Sequence, residues 1–120
     1  MNIHNREAMQ RLYEERRIYS ITDSLTHIYN RRGLEEQILP LWSGLCAKHQ
    51  SIAFIYFDMD HLKLMNDTYG HAAGDAAICI IARAIRLTAG RNSVYARMGG
   101  DEFLVFLPEA TQQEIVRAHV

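Results

Sequence analysis

Seven residues, Arg97-Met98-Gly99-Gly100-Asp101-Glu102-Phe103, constrain this chain more than any other stretch. Two β-prone runs, Ser93 to Met98 and Phe103 to Leu107, flank the glycine pair, and glycine supplies the positive φ angles that a two-residue hairpin turn demands. The reading is a hairpin whose tip carries two adjacent acids. Neighbouring carboxylates repel, so a fold gains little from this placement unless a cation or a proton uses them. The plain alternative is a solubilising turn, because short motifs recur by chance. A second acidic cluster upstream favours the functional reading.

That cluster follows Ile52-Ala53-Phe54-Ile55-Tyr56-Phe57, an unbroken apolar run of strand length that reads as a buried central strand. The run ends in Asp58-Met59-Asp60. Carboxylates just past a strand end sit at the sheet rim, where open α/β sheets bind ligands. If this strand lies beside the hairpin, Asp58 and Glu102 can face one hard cation of the kind that takes oxygen ligands and shares them with phosphates.

The 120 residues suit one domain, and 48% hydrophobic content is enough for a real core. A net charge of −1 argues against a broad basic face for nucleic acid, while leaving room for a locally bound nucleotide. Cys46 and Cys79 read as two reduced, buried thiols, which fits the cytoplasm. No apolar run approaches a membrane span, and the polar start is not a signal peptide.

Along the chain, residues 1–21 read as a charged linker helix, with Met9, Leu12 and Tyr19 at spacings of three and seven. It serves equally as a solvated lead-in or as a dimerising stalk. The domain proper is residues 22–120. Thr22 or Asp23 caps a short turn, and Asn30 is the N-cap of a helix carrying Leu34, Ile38, Leu41 and Leu45 on one stripe, which Pro40 should kink or break. Asp60 is the expected N-cap of a helix from His61 to Asp67, leaving the amides of His61 and Leu62 free for phosphate oxygens, with Lys63 adding positive charge. Gly70 stops that helix and His71 falls in a turn. Gly74 and Asp75 open a long helix to about Ala89, with Asp75 in its first turn. Pro108 ends the second hairpin strand, and Thr111 with Glu114 forms a capping box for a last helix.

Three motifs in order carry a resemblance: Asp23-Ser24-Leu25-Thr26 with Asn30-Arg31-Arg32; Phe57 to Asp60 continuing through Lys63, Asn66-Asp67, Gly70-His71 and Gly74-Asp75; and Arg97 to Phe103. Together they resemble the GGDEF domain of diguanylate cyclases, which join two GTP into cyclic di-GMP. The resemblance covers about Asp23 to Val120. It implies an α/β fold similar to the palm of nucleotide cyclases, with an antiparallel hairpin beside a central strand and helices packed on the sheet. Family domains continue with further strands and a helix supplying basic groups to the triphosphate, so the C-terminal part is expected to be incomplete here.

The resemblance further implies Mg²⁺ or Mn²⁺ held by Asp58, Glu102 and the Met59 carbonyl, with Asp101 as a further ligand or as a base. Asp101 and Glu102 are thereby the expected catalytic pair. Gly99 and Gly100 let GTP approach the backbone; Asn66 and Asp75 match the guanine readers, and a carboxylate accepting from two N–H groups of the base favours GTP over ATP. Catalysis by such domains takes a homodimer, and helices like residues 1–21 often join an upstream sensor. Two departures stand out. The family's Thr-Gly-Leu is Thr26-His27-Ile28 here, and the positions of its Arg-x-x-Asp product-inhibition site are Gly90 and Ser93. The rival expectation is a GGDEF module that binds GTP and signals without turnover; the next is a piece that only dimerises.

Overall fold

The computed structural model describes residues 3–108, so Thr111 and Glu114 lie outside the described residues. The element order is α1 (Ile3–Ile21), α2 (Arg31–Ala47), β1 (Ile52–Asp58), α3 (Leu62–Tyr69), α4 (His71–Thr88), β2 (Val94–Arg97) and β3 (Glu102–Pro108). The three strands pair antiparallel in the order β1-β3-β2.

This order corrects one expectation. The second hairpin strand, β3, is central among the described residues, and β1 flanks it. An apolar run reports what a strand is made of, not which neighbours it finds. On β1 only Ile55 is buried, while Phe54 and Tyr56 are 49% and 56% exposed on the opposite face.

The two faces of the sheet meet different helices because successive side chains alternate. Phe103, Val105 and Leu107 of β3, with Ile55 of β1, form the core with Ile78, Ala82 and Ile85, which share one stripe of α4. Cross-strand partners Phe57 and Phe103 stack there at 5.7 Å between ring centres. On the other face α2 approaches β2, above the buried Ala96 and Phe106; Phe54 packs against Phe106 at 5.1 Å and against Trp42 at 6.2 Å. Phe103 and Phe106 are fully buried, so the central strand is gripped from both sides, each ring contributing about 1.5–3 kcal/mol relative to exposure.

Asn30 caps α2 as expected, its side chain accepting from Gly33 N at 2.9 Å. Pro40, in contrast, does not break the helix: α2 runs through it to Ala47. A proline on an exposed flank costs one i→i−4 bond and can be carried by the turns on either side. Leu34 and Leu45 of the expected stripe are buried, but Leu41 is exposed. Cys46 is also exposed rather than buried, and Cys79 is half-buried; both are free.

Helix α1 buries only Ile21 and is tied to α2 by Arg17 and Glu36 at 3.7 Å, an ion pair without a hydrogen bond. Among the described residues no helix is long and apolar enough to cross a membrane.

Candidate functional site

The register of β1 on β3 sets Asp58 directly opposite Glu102. Opposed residues on antiparallel strands hold their Cβ atoms about 4.5–5.5 Å apart on one face. The pairing does not stop at the strand end, since Met59 N donates to the Asp101 carbonyl at 2.9 Å. Asp58, Met59, Asp101 and Glu102 are therefore gathered at one rim of the sheet. Among the described residues no three His, Cys, Asp or Glu side chains converge as an all-protein metal cage. Two carboxylates and a backbone carbonyl fit instead a hard cation that keeps waters and takes phosphate oxygens.

The loop between β2 and β3 differs from the expected two-residue turn. Arg97 pairs with Phe103, and Met98 N donates to Glu102 O at 2.7 Å, which leaves Gly99, Gly100 and Asp101 as a three-residue tip. Neither Gly99 nor Gly100 has a positive φ. A Cβ at Gly99 would lie 2.9 Å from Glu102 Oε2, the end of a side chain that can turn aside, and one at Gly100 would meet nothing within 4 Å.

Arg97 holds this tip. Its Nε and Nη2 donate to the Gly100 carbonyl at 3.2 and 2.8 Å, and its Nη1 donates to both Asp23 oxygens at 3.1 and 3.2 Å. Asp23 also closes its own turn by accepting from Thr26 N and Oγ1 at 2.8 and 2.7 Å. Burial pushes the Asp23 carboxyl up, but the Thr26 bonds and the Arg97 charge outweigh it and hold it below its ordinary value. The turn survives loss of the family glycine because His27 itself adopts φ 62°.

On the other side of the rim, Asp60 does not cap α3. The helix starts at Leu62, with His61 at the N-cap in a left-handed conformation (φ 62°) and no side-chain bond to the helix. His61 leads into the turn whose amides, Leu62 and Lys63 among them, lack intrahelical partners, so the helix start expected at His61 lies one residue later. Gly70, at φ 91°, ends α3, and α4 begins at once with His71, so His71 is helical and Asp75 lies beyond the first turn. Turn signals cannot show that two helices share one boundary residue. The two helices pack so that the Asn66 side chain sits on Gly74, where a Cβ would overlap its Oδ1. That buried Asn66 oxygen has no hydrogen-bond partner among the described residues, and Asp75 is the residue after Gly74.

A cavity of about 590 Å³ lies between the start of α2 and the hairpin, lined by Asp23, Asn30, Arg31, Arg32, Arg97 and Gly99 among others. Asp58, Glu102, Asn66 and Asp75 do not line it. The candidate site is therefore assigned from the opposed carboxylates and the α3–α4 junction, with the cavity as its neighbour across the glycine loop.

Tyr56 was not singled out by the sequence, although it stands two positions before Asp58 and so must share its face. Across the ladder it lies diagonal to Glu102 on the same face. Hydrogen bonding to Glu102, then burial and the Glu102 charge, push its phenol above the ordinary value.

A small antiparallel sheet with helices on both faces and a glycine–acid hairpin beside a strand-end carboxylate defines an α/β domain of the nucleotide-cyclase palm type. The family model described as "Diguanylate cyclase, GGDEF domain" matches residues 20–120, and the chain belongs to that family. It is 39% identical over 103 residues to the probable diguanylate cyclase DgcJ of Escherichia coli (strain K12), covering 86% of this chain and 21% of DgcJ. It is also 39% identical over 89 residues to the cyclic di-GMP phosphodiesterase PdeB of Shewanella oneidensis, covering 74% of this chain and 10% of PdeB. The chain thus spans a small part of these relatives. Among solved structures, the coiled coil and GGDEF domain of DgcB from Caulobacter crescentus, in complex with c-di-GMP, matches with a TM-score of 0.89 at 27% identity. That match covers 97% of this chain and 61% of the other.

Proposed function

We propose that this domain is a diguanylate cyclase unit that condenses two GTP into cyclic di-GMP with release of pyrophosphate. The observation that carries the reading is the opposition of Asp58 and Glu102 at the strand ends, with Met59 N tied to the Asp101 carbonyl beside the glycine loop. A bound Mg²⁺ or Mn²⁺ would supply Lewis acidity toward the phosphates and lower the pKa of the attacking hydroxyl. Asp58, Glu102 and the Met59 carbonyl would hold it.

The remaining work falls to the chain. The amides at the start of α3 and Lys63 receive phosphate oxygens; Asn66 and Asp75 receive the guanine edge. The 3′-hydroxyl of one GTP attacks the α-phosphorus of the other, the bond to the β-phosphate breaks, pyrophosphate leaves, and Asp101 or water takes the hydroxyl proton. A second such step closes the ring. Because each GTP is both nucleophile and electrophile, two domains face each other, and the homodimer is the active unit.

A second reading, a domain that binds GTP without turnover, is favoured by the match to a protein named a phosphodiesterase. One experiment separates them: pyrophosphate release and cyclic di-GMP formation from GTP with Mg²⁺. The cyclase reading expects both products, and expects Asp58→Asn and Glu102→Gln each to abolish them, since neutral amides are poorer ligands for a hard cation. GTP binding with no product in any metal would establish the second reading instead.

A further inference from the structure

We propose that the cavity across the glycine loop from the carboxylate rim, lined by Arg31 and Arg32, receives the phosphate groups of the nucleotide that the partner domain holds; this rests on the cyclase reading above. The cavity holds about 590 Å³, within the range of small-ligand sites. Its lining carries three guanidinium groups, those of Arg31, Arg32 and Arg97, against the carboxylates of Asp23 and Glu35. Asp23 neutralises Arg97 at 3.1 Å, whereas Glu36 stands 3.9 Å from Arg32, too far for a hydrogen bond. Arg31 is in no ion pair among the described residues, although Glu35 lies one helical turn on. Both Arg31 and Arg32 are exposed, so positive charge is left over on this wall. The amides of Arg31 and Arg32 at the start of α2 add to it, because the Asn30 side chain and carbonyl serve Gly33 N and Leu34 N.

The glycine loop separates this charge from the acids. Gly99 lines the cavity, and a Cβ on it would lie 2.9 Å from Glu102 Oε2, yet neither Asp58 nor Glu102 lines the cavity. A nucleotide bound through metal at the rim therefore has the loop between its metal and Arg31. The second nucleotide comes from outside, on the domain that faces this one, and Gly100 bears no side chain to bar its approach. A triphosphate is more negative than one divalent cation can balance, and the rim opposes it with Asp58, Asp101 and Glu102 while Lys63 alone, of the residues assigned there, attracts it. As the bond to the β-phosphate breaks, charge moves onto the departing pyrophosphate. Guanidinium groups match phosphate oxygens two at a time, which suits Arg31 and Arg32 to that charge.

The test measures self-association of the 120-residue chain by sedimentation, with and without Mg²⁺ and 3′-deoxy-GTP, which has no nucleophile and is not consumed. The nucleotide is expected to tighten the dimer about tenfold or more, the effect of roughly one charge-assisted contact, and added salt should shrink the gain. Arg31→Ala combined with Arg32→Ala should abolish the gain, while the dilute variant binds 3′-deoxy-GTP as wild type does and so shows that it is folded. Cyclic di-GMP, whose phosphodiesters carry less charge than a triphosphate, should give a much smaller gain. An undiminished gain in the double variant, no gain in wild type, weakened binding by the dilute variant, or an equal gain from cyclic di-GMP each overturns the proposal while the cyclase reading stands. Binding of 3′-deoxy-GTP that is absent with Mg²⁺, or indifferent to Glu102→Gln, overturns the cyclase reading and the proposal together.

Discussion

Arg97 Nη1 lies 3.1 and 3.2 Å from the two carboxylate oxygens of Asp23, a residue 74 positions earlier. Both side chains are mostly buried, at 16% and 17% exposure, and the same guanidinium grips the Gly100 carbonyl. Removing Asp23 therefore leaves a shielded cation unpaired, so Asp23→Asn is expected to cost about 1–3 kcal/mol. The pH dependence follows from sign. The folded-state carboxyl is held below its unfolded value near 3.9, so its stabilisation is full above about pH 4 and lost as pH falls through the folded value. Urea denaturation of both proteins should show a gap at pH 7 that closes toward pH 3. A constant gap would show that the charge of Asp23 is not what stabilises the turn.

His27 offers a stabilising substitution. A non-glycine residue at φ 62° costs roughly 1–2 kcal/mol, of which glycine returns part to unfolded-chain entropy. The imidazole is exposed and has little packing to lose. His27→Gly should raise stability by about 0.5–1 kcal/mol in denaturant titration, with no change in GTP binding.

Gly74 should dissociate stability from recognition. Alanine at a helix interior gains about 0.5–1 kcal/mol over glycine, yet here the new methyl meets Asn66 Oδ1 and must displace that side chain. Gly74→Ala should leave the melting temperature close to wild type while reducing the preference for GTP over ATP in competition binding. Retained preference would remove Asn66 from the guanine site.

The positions of the family's product-inhibition pair, Gly90 and Ser93, form a turn closed by Ser93 N to Gly90 O at 3.0 Å, and neither carries a charge. Cyclic di-GMP titrated into the domain without GTP should bind there more weakly than about 10 μM. Tight binding abolished by Arg91→Ala would reveal a site built on other residues.

The parts legible in the sequence were those set by local chemistry. Asn30 announced its helix, Gly70 its stop, and the acids after Phe57 and Gly100 announced a shared rim because strand ends and turns are local facts. What stayed hidden depended on neighbours. Nothing in Phe103 to Leu107 says that this strand is central, since pairing order is a matter of tertiary choice. Neither Gly99 nor Gly100 takes the positive φ that a two-residue turn would have required of them. Pro40 was carried through by the helical turns around it.

That register has a consequence for how the domain folds. A slip of one residue between β1 and β3 would keep most ladder hydrogen bonds but turn Asp58 onto the face where α4 packs its isoleucines. An unpaired carboxylate driven into that apolar layer is costly enough to disfavour the slipped sheet. The acid assigned to the chemistry would thus proofread strand alignment as well, rejecting misaligned folding intermediates long before any nucleotide arrives.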